Sequence, residues 1–68
     1  MKTIRQLREE RGWTQLELAN RLGVTPATVY NWERARFEPT GSKLRLLARA
    51  FGVSMDDIEL PEAQKLAA

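Results

Sequence analysis

Residues 14–34 of the chain read TQLELANRLGVTPATVYNWER and carry two short helical patterns on either side of a glycine. Apolar residues recur at helical spacing in both halves, as Leu18, Ala19, Leu22, Val29 and Trp32. Because only Gly23, Val24 and Thr25 separate the two patterns, the two predicted helices must cross steeply. The small side chain of Ala19 lets the second helix approach the first closely.

A three-residue unit recurs along the chain and marks where helices end and begin. It reads Gly12-Trp13-Thr14, Gly23-Val24-Thr25 and Gly52-Val53-Ser54. Glycine can close a helix in the left-handed conformation, and Thr or Ser can accept hydrogen bonds from the free amides that open the next one. We therefore predict five short helices, over about residues 3–11, 15–22, 26–34, 41–51 and 55–60, and no strand. The expected fold class is an all-α, compact five-helix bundle.

Length and composition limit the protein to one small domain. The chain has 68 residues and contains neither Cys nor His, so disulfides and the usual zinc ligands are excluded, and we predict no metal, no cofactor and no catalytic site. No apolar run approaches the roughly 18 residues of a membrane span, so a cytoplasmic protein is expected. We expect residues 1–60 to form the domain and residues 61–68 a flexible tail, in which residues 65–68 resemble an expression-vector scar.

Basic residues concentrate in the first half of the chain. Residues 1–36 contain seven Lys or Arg and four Glu, whereas residues 37–68 contain four Lys or Arg and five Asp or Glu. A basic half is typical of proteins with a polyanionic partner. Taken alone the asymmetry is a weak signal, since most charged residues simply solvate a helix face.

The helix predicted over residues 26–34 presents a polar and aromatic arc on the side opposite Val29 and Trp32. That arc carries Ala27, Thr28, Tyr30, Asn31 and Arg34. Asn31 can bond adenine through two hydrogen bonds, and Ala27 can offer a methyl group to thymine. Thr28 can reach a base edge or a phosphate, and Tyr30 can stack or reach a phosphate through its hydroxyl. The arc is suited to reading the major groove of duplex DNA.

Residues 14–34 also resemble the helix-turn-helix of the Cro and phage-repressor type (Xre-like) regulators of bacteria and phages. The flanking segments TIRQLREERGW and PTGSKLRLLARAFGVSMDDI are similar to the first helix and to the fourth and fifth helices of that family. The resemblance covers about residues 3–60. It implies a lambda-repressor-like DNA-binding domain whose helix-turn-helix is formed by helices 2 and 3.

The resemblance assigns roles to particular residues. In the family, the positions of Pro26, Ala27 and Asn31 provide most of the sequence specificity, although Pro26 has no N–H to donate. Gln15 matches a glutamine that braces both a phosphate and the recognition helix. Arg8 and Glu33 match a partly buried ion pair that joins helix 1 to helix 3.

Candidate phosphate contacts are chosen by their placement at helix N-termini and around the loop after helix 3. They are Thr14, Gln15, Thr25, Arg34, Arg36 and Lys43. The loop departs from the family pattern, which usually places glycine where this chain has Ala35. Either Ala35 adopts the left-handed conformation, at a cost on the order of 1 kcal/mol, or the third helix ends differently.

These residues predict sequence-specific binding of double-stranded DNA by a transcriptional repressor or autoregulator, with no small-molecule effector. Family members usually act as dimers, so we expect a homodimer on a palindromic operator, with Met55, Ile58 and Leu60 as candidate contacts. The alternative is a protein-interaction module, such as a bridging factor or an antitoxin. An enzyme is not expected, because so small a bundle without His or Cys has little room for a catalytic cleft.

Overall fold

The computed structural model describes residues 1–60, and its helices and strands follow one another with short connections. They are β1 (Lys2–Thr3), α1 (Ile4–Glu10), α2 (Gln15–Leu22), α3 (Pro26–Glu33), α4 (Gly41–Phe51), a 3₁₀ turn (Met55–Asp57) and β2 (Ile58–Glu59). The two strands pair in parallel, with Lys2 opposite Ile58 and Thr3 opposite Glu59. The tail predicted over residues 61–68 lies outside the described residues.

The prediction of a fifth helix over residues 55–60, in a bundle without strands, is wrong. In residues 1–60 four α-helices are present, and the last predicted helix is replaced by the 3₁₀ turn and β2. Ile58 leaves the turn in an extended conformation (φ −94°, ψ 118°) and pairs with β1. The residue before a proline avoids the helical region, so Leu60, which precedes Pro61, opposes a helix at that point. The other four predicted helices are present, and α2 and α3 form the expected helix-turn-helix.

The tight turn between α2 and α3 forms as the sequence predicts. Gly23 ends α2 with a φ of 71°, a backbone conformation that costs glycine little. Its neighbour Val24 donates its N–H to the carbonyl oxygen of Ala19 at 3.0 Å, which closes the helix end. The hydroxyl of Thr25 then accepts the N–H of Thr28 at 3.2 Å, and Pro26 occupies the first helical position.

One apolar core holds the helices together and draws on every helix. The buried residues are Ile4, Leu7, Leu18, Ala19, Leu22, Val29, Trp32, Leu47, Ala48, Phe51 and Ile58. Trp13, from the turn before α2, is half-buried and stacks on Phe51 with 5.9 Å between ring centroids. The five apolar residues at helical spacing in residues 14–34, namely Leu18, Ala19, Leu22, Val29 and Trp32, all lie in this core.

The helices in residues 1–60 are too short to cross a bilayer, the longest being α4 with 11 residues. In the same residues no group of three or more acidic side chains is close enough to hold a metal ion.

Ala35, at the end of α3, adopts the left-handed backbone conformation. Ala35 has a φ of 61°, and within residues 1–60 it is the one non-glycine residue in the left-handed region. Its N–H donates to the carbonyl oxygen of Trp32 at 3.2 Å, and the N–H of Arg36 donates to that of Asn31 at 2.9 Å. These are the two bonds of a Schellman motif, which usually has glycine at this position. The first of the two possibilities therefore holds, and Ala35 adopts the left-handed conformation that usually takes glycine.

We expect Ala35→Gly to raise the free energy of unfolding by about 0.5–1 kcal/mol. Alanine pays about 1–2 kcal/mol for the left-handed conformation, and glycine does not. The greater conformational freedom of glycine in the unfolded chain offsets part of this gain in stability. Thermal and urea unfolding would measure the change. Ala50→Gly, inside α4, is the matched control and should lower the stability by about 1 kcal/mol. Equal destabilisation by both variants would contradict the assignment of strain to Ala35.

Candidate nucleic-acid interface

Helix α3 has one face fixed in the core and the other turned to solvent. Val29 is 0% exposed and Trp32 is 4% exposed, so these two side chains hold the back of the helix. Its outer side chains then project from a small domain whose extents are 29 × 23 × 21 Å. A helix presented in this way has the size and shape that fit the major groove.

The predicted base-reading residues differ in how far they reach into solvent. Pro26, Ala27 and Tyr30 are exposed, with Tyr30 at 43%, whereas Thr28 and Asn31 are half-buried. All five occupy the outer arc of α3. None of them is enclosed by another segment in residues 1–60, so the arc remains open to a partner.

The hydroxyl groups at the beginning of α3 are bonded to each other. The Oγ1 atoms of Thr25 and Thr28 lie 2.9 Å apart, and Oγ1 of Thr25 also accepts the N–H of Thr28. The pair satisfies the start of the helix with its own side chains. Thr25 and Thr28 thus have less free hydrogen-bonding capacity than the sequence alone suggests.

A buried ionic network joins α3 to the two preceding helices. The Nε and Nη2 atoms of Arg8 donate to the two carboxylate oxygens of Glu33 at 2.7 and 3.1 Å. Nη1 of Arg8 donates to the carbonyl oxygen of Trp13 at 2.8 Å, and Nε2 of Gln15 donates to Oε1 of Glu33 at 3.0 Å. One carboxylate on α3 therefore binds α1 and the first residue of α2 together.

The Arg8–Glu33 pair is shielded from water. The side chains of Arg8 and Glu33 are 12% and 5% exposed. The hydrogen bonds to Glu33 raise the pKa of Arg8 above its ordinary value, and they outweigh the opposite effect of burial. The pair is a bidentate, charge-assisted contact of the kind that fixes an orientation as well as contributing energy.

The predicted phosphate contacts are distributed over the starts of three helices and the end of α3. Thr14, Thr25, Arg34 and Arg36 are exposed, and Gln15 and Lys43 are half-buried. Thr14 caps α2 by accepting the N–H of Glu17 at 3.0 Å. Within residues 1–60, neither arginine nor Lys43 forms an ion pair, so these three charges are available to an anionic partner.

Arg5 joins this surface although the sequence analysis did not single it out. It lines a shallow cleft between α1, α2 and α3 together with Gln15, Tyr30 and Arg34. The signal was present in the spacing, because Arg5 lies three residues before Arg8 and shares its helix face. Its guanidinium is paired with Glu9 at 3.2 Å in an exposed contact.

Comparison with known proteins identifies the family. A helix-turn-helix family model, HTH_3, matches residues 4–58. The chain belongs to the helix-turn-helix family of Cro and phage-repressor type regulators. A helix-turn-helix protein of Methanothermobacter thermautotrophicus, named an uncharacterized HTH-type transcriptional regulator, is 45% identical over 49 residues, which cover 72% of this chain and 71% of the relative. A similarly named protein of Archaeoglobus fulgidus is 30% identical over 63 residues, covering 93% and 90%.

Two solved structures agree with the observed fold. A hypothetical transcription factor from Neisseria, NHTF, superposes with a TM-score of 0.77 at 33% identity, covering 94% of this chain and 72% of that one. The DNA-binding domain of the P22 c2 repressor superposes with a TM-score of 0.75 at 29% identity, covering 90% and 87%. The recognition of the family from residues 14–34 is confirmed. The bacterial or phage origin expected from it is not, since the sequence relatives named above are archaeal.

The buried network yields a stability prediction. Arg8→Ala leaves the carboxylate of Glu33 buried without its charged partner, so we expect the free energy of unfolding to fall by about 3 kcal/mol. Arg5→Ala is the matched control, since it breaks an ion pair whose side chains are 67% and 53% exposed and should cost less than about 0.5 kcal/mol. Thermal unfolding of both variants would measure the difference. Similar losses in the two variants would show that burial does not distinguish these pairs.

Proposed function

We propose that this helix-turn-helix protein binds duplex DNA in a sequence-specific manner and regulates transcription as a repressor or autoregulator. The observation that carries the proposal is the arrangement of α3, whose back is buried through Val29 and Trp32 while its outer arc is open. The network from Glu33 to Arg8 and Gln15 holds that helix rigidly against α1 and α2. In this arrangement α3 enters the major groove and α2 lies across the backbone.

The residues on the outer arc of α3 make the base contacts. Asn31 can accept from and donate to the N6 and N7 edge of adenine, a pairing worth about 1–3 kcal/mol of discrimination. Pro26, Ala27, Thr28 and Tyr30 complete the reading set. The guanidinium carbon of Arg34 lies 5.7 Å from the centroid of the Tyr30 ring, in a cation–π contact. This contact places a positive charge beside the arc.

Residues at the edges of the same surface bind the DNA phosphates. Gln15 stands at the start of α2 and Thr25 at the start of α3, where the helix dipole and free amides favour an anion. Arg34, Arg36 and Lys43 add charge around the loop that follows α3, and Thr14 adds a hydroxyl before α2. Such contacts supply affinity that does not depend on base sequence.

A homodimer on a palindromic operator is part of the proposal. A single domain of this size covers only one half-site, and two-fold dimers of helix-turn-helix proteins span half-sites about one helical turn apart. Of the candidate contacts, Ile58 is buried in the core and is not available to a partner. Met55 is exposed and Leu60 is half-buried, so these two remain candidates.

A protein-interaction module on the same fold is the competing function. It would predict an outer face on α3 without groups suited to base edges. Asn31 favours DNA instead, as do the charges of Arg34 and Arg36, which form no ion pair within residues 1–60. The relatives are named as transcriptional regulators, and one of the similar structures is the DNA-binding domain of a repressor.

Selection from a random duplex library at fixed salt would test the proposal. We expect one sequence to be enriched as two inverted half-sites about one helical turn apart, with two chains bound per duplex. Enrichment of a single half-site with one chain bound would support sequence-specific DNA binding and contradict the dimer. Absence of any enriched sequence would favour the protein-interaction alternative.

Arg36→Ala should weaken binding to all duplexes alike, because a phosphate contact carries no sequence information. We expect the slope of log affinity against log salt to flatten by about one unit. Arg49→Ala is the matched control, since it makes the same change in net charge at the far end of α4 from the loop. An unchanged slope in Arg36→Ala would remove this residue from the phosphate contacts.

A further inference from the structure

Phe37 lies in the loop between α3 and α4 and is open to solvent. It is 63% exposed, more than any other aromatic residue in residues 1–60. Phenylalanine is ordinarily among the most buried residue types, because its removal from water stabilises the fold. Phe37 contributes little of that stabilisation to the domain and leaves an apolar surface for a partner to cover.

The loop that carries Phe37 is restrained on both sides. Two residues before it, Ala35 is in the left-handed conformation, and the N–H of Arg36 donates to the carbonyl oxygen of Asn31 at 2.9 Å. Two residues after it, Pro39 is buried and has a φ that its ring fixes. The aromatic ring is thus presented from a short, restrained segment, so little backbone freedom is lost when a partner covers it.

The apolar side chain of Phe37 stands in a cationic segment. Residues 34–43 contain one acidic side chain and three basic ones, namely Arg34, Arg36 and Lys43. Within residues 1–60 none of these three basic groups forms an ion pair. Such a segment is complementary to a partner in which apolar groups alternate with anionic groups. The backbone of DNA has this composition, because each deoxyribose lies between two phosphates.

We propose that Phe37 packs against a deoxyribose of the DNA backbone, beside a phosphate that Arg36 binds. The inference rests on the DNA-binding function proposed above and adds a contact with the sugar. Helix α3 has eight residues and is therefore about 12 Å long, which is about the width of the major groove. When its first turn lies at the base edges, the loop after its last turn reaches the backbone at the edge of the groove. Phe37 then meets the C–H groups of the sugar.

The other parts of the duplex fit an aromatic ring at this place less well. A phosphate is charged and hydrated, so a ring that covers it removes its water without a replacement. The base edges lie inside the groove, where they meet the outer arc of α3. A base step in the minor groove accepts a ring only after it is unstacked, and one side chain does not recover that free energy. The sugar accepts the ring without a change in the duplex.

The substitution Phe37→Ala tests the contact in the full 68-residue chain. We expect affinity to fall about tenfold for the selected site and for a scrambled duplex alike, because a sugar contact carries no base sequence. The slope of log affinity against log salt should keep its wild-type value, since no charge is removed. Arg36→Ala, in the same loop, is the matched comparison and should flatten that slope.

Phe37→Leu separates apolar contact from a change in the loop. Leucine keeps most of the apolar surface, so the loss of affinity should be less than about threefold. Because Phe37 is exposed, both variants should unfold at the wild-type temperature, and thermal unfolding would verify this.

A scan of the selected site with single arabinonucleotides identifies the sugar. The 2′-hydroxyl of arabinose points into the major groove, whereas that of ribose points into the minor groove. At one or two backbone positions per half-site, we expect arabinose to lower wild-type affinity about fivefold, because the ring leaves the hydroxyl without a hydrogen-bond partner. Ribose at the same position is the control and should have a smaller effect. Phe37→Ala should lose the sensitivity to arabinose, as a contact between the two groups requires.

The possible failures are distinguishable. If Phe37→Ala binds as tightly as the wild type, or if no arabinose position separates the two proteins, the inference is overturned and the proposed DNA-binding function stands. If the loss is confined to the selected site, Phe37 reads a base, and if it is confined to duplexes with two half-sites, Phe37 contacts a second copy. Either result overturns the sugar contact. If the wild-type chain enriches no duplex sequence, the proposed function fails and the inference fails with it.

Discussion

The carboxylate of Glu33 is the group on which the rest of the structure depends. It is 5% exposed, and a buried carboxylate is stable only when its oxygens are paired with donors. Arg8 and Gln15 supply those donors from α1 and from the start of α2. Since both must reach one side chain on α3, the three helices can meet in only a narrow range of orientations. The network therefore fixes the direction of α3 relative to α1 and α2.

That fixed direction separates the residues that build the fold from those that would read DNA. Val29, Trp32 and Glu33 use the inner side of α3, so changes there are felt throughout the core. Ala27 and Tyr30 lie on the outer side and make little contribution to packing. The outer arc can therefore vary without loss of the fold, which is why the comparisons establish the family while the operator must be found by selection.

Local interactions explain how much of this could be predicted from the sequence. The start and stop signals at Gly23 and Thr25 act within five residues, so the bounds of α2 and α3 were predicted almost to the residue. The pairing of β1 with β2 was not, because it joins Lys2 to Ile58 across nearly the whole described chain and rests on only two residues a strand. The Arg8–Glu33 contact also spans 25 positions, and only the family resemblance indicated it.

Ala35 shows how tertiary context can override a local preference next to the proposed site. The two carbonyl oxygens at the end of α3, on Asn31 and Trp32, need donors, and the left-handed turn supplies both from the following backbone. Burial of Trp32 fixes where the helix must end, so alanine accepts a conformation that it ordinarily avoids. Alanine also restricts the chain more than glycine would, and Arg36 follows directly after it. The strained residue thereby limits the freedom of a proposed phosphate contact, which reduces the entropy lost when that contact forms.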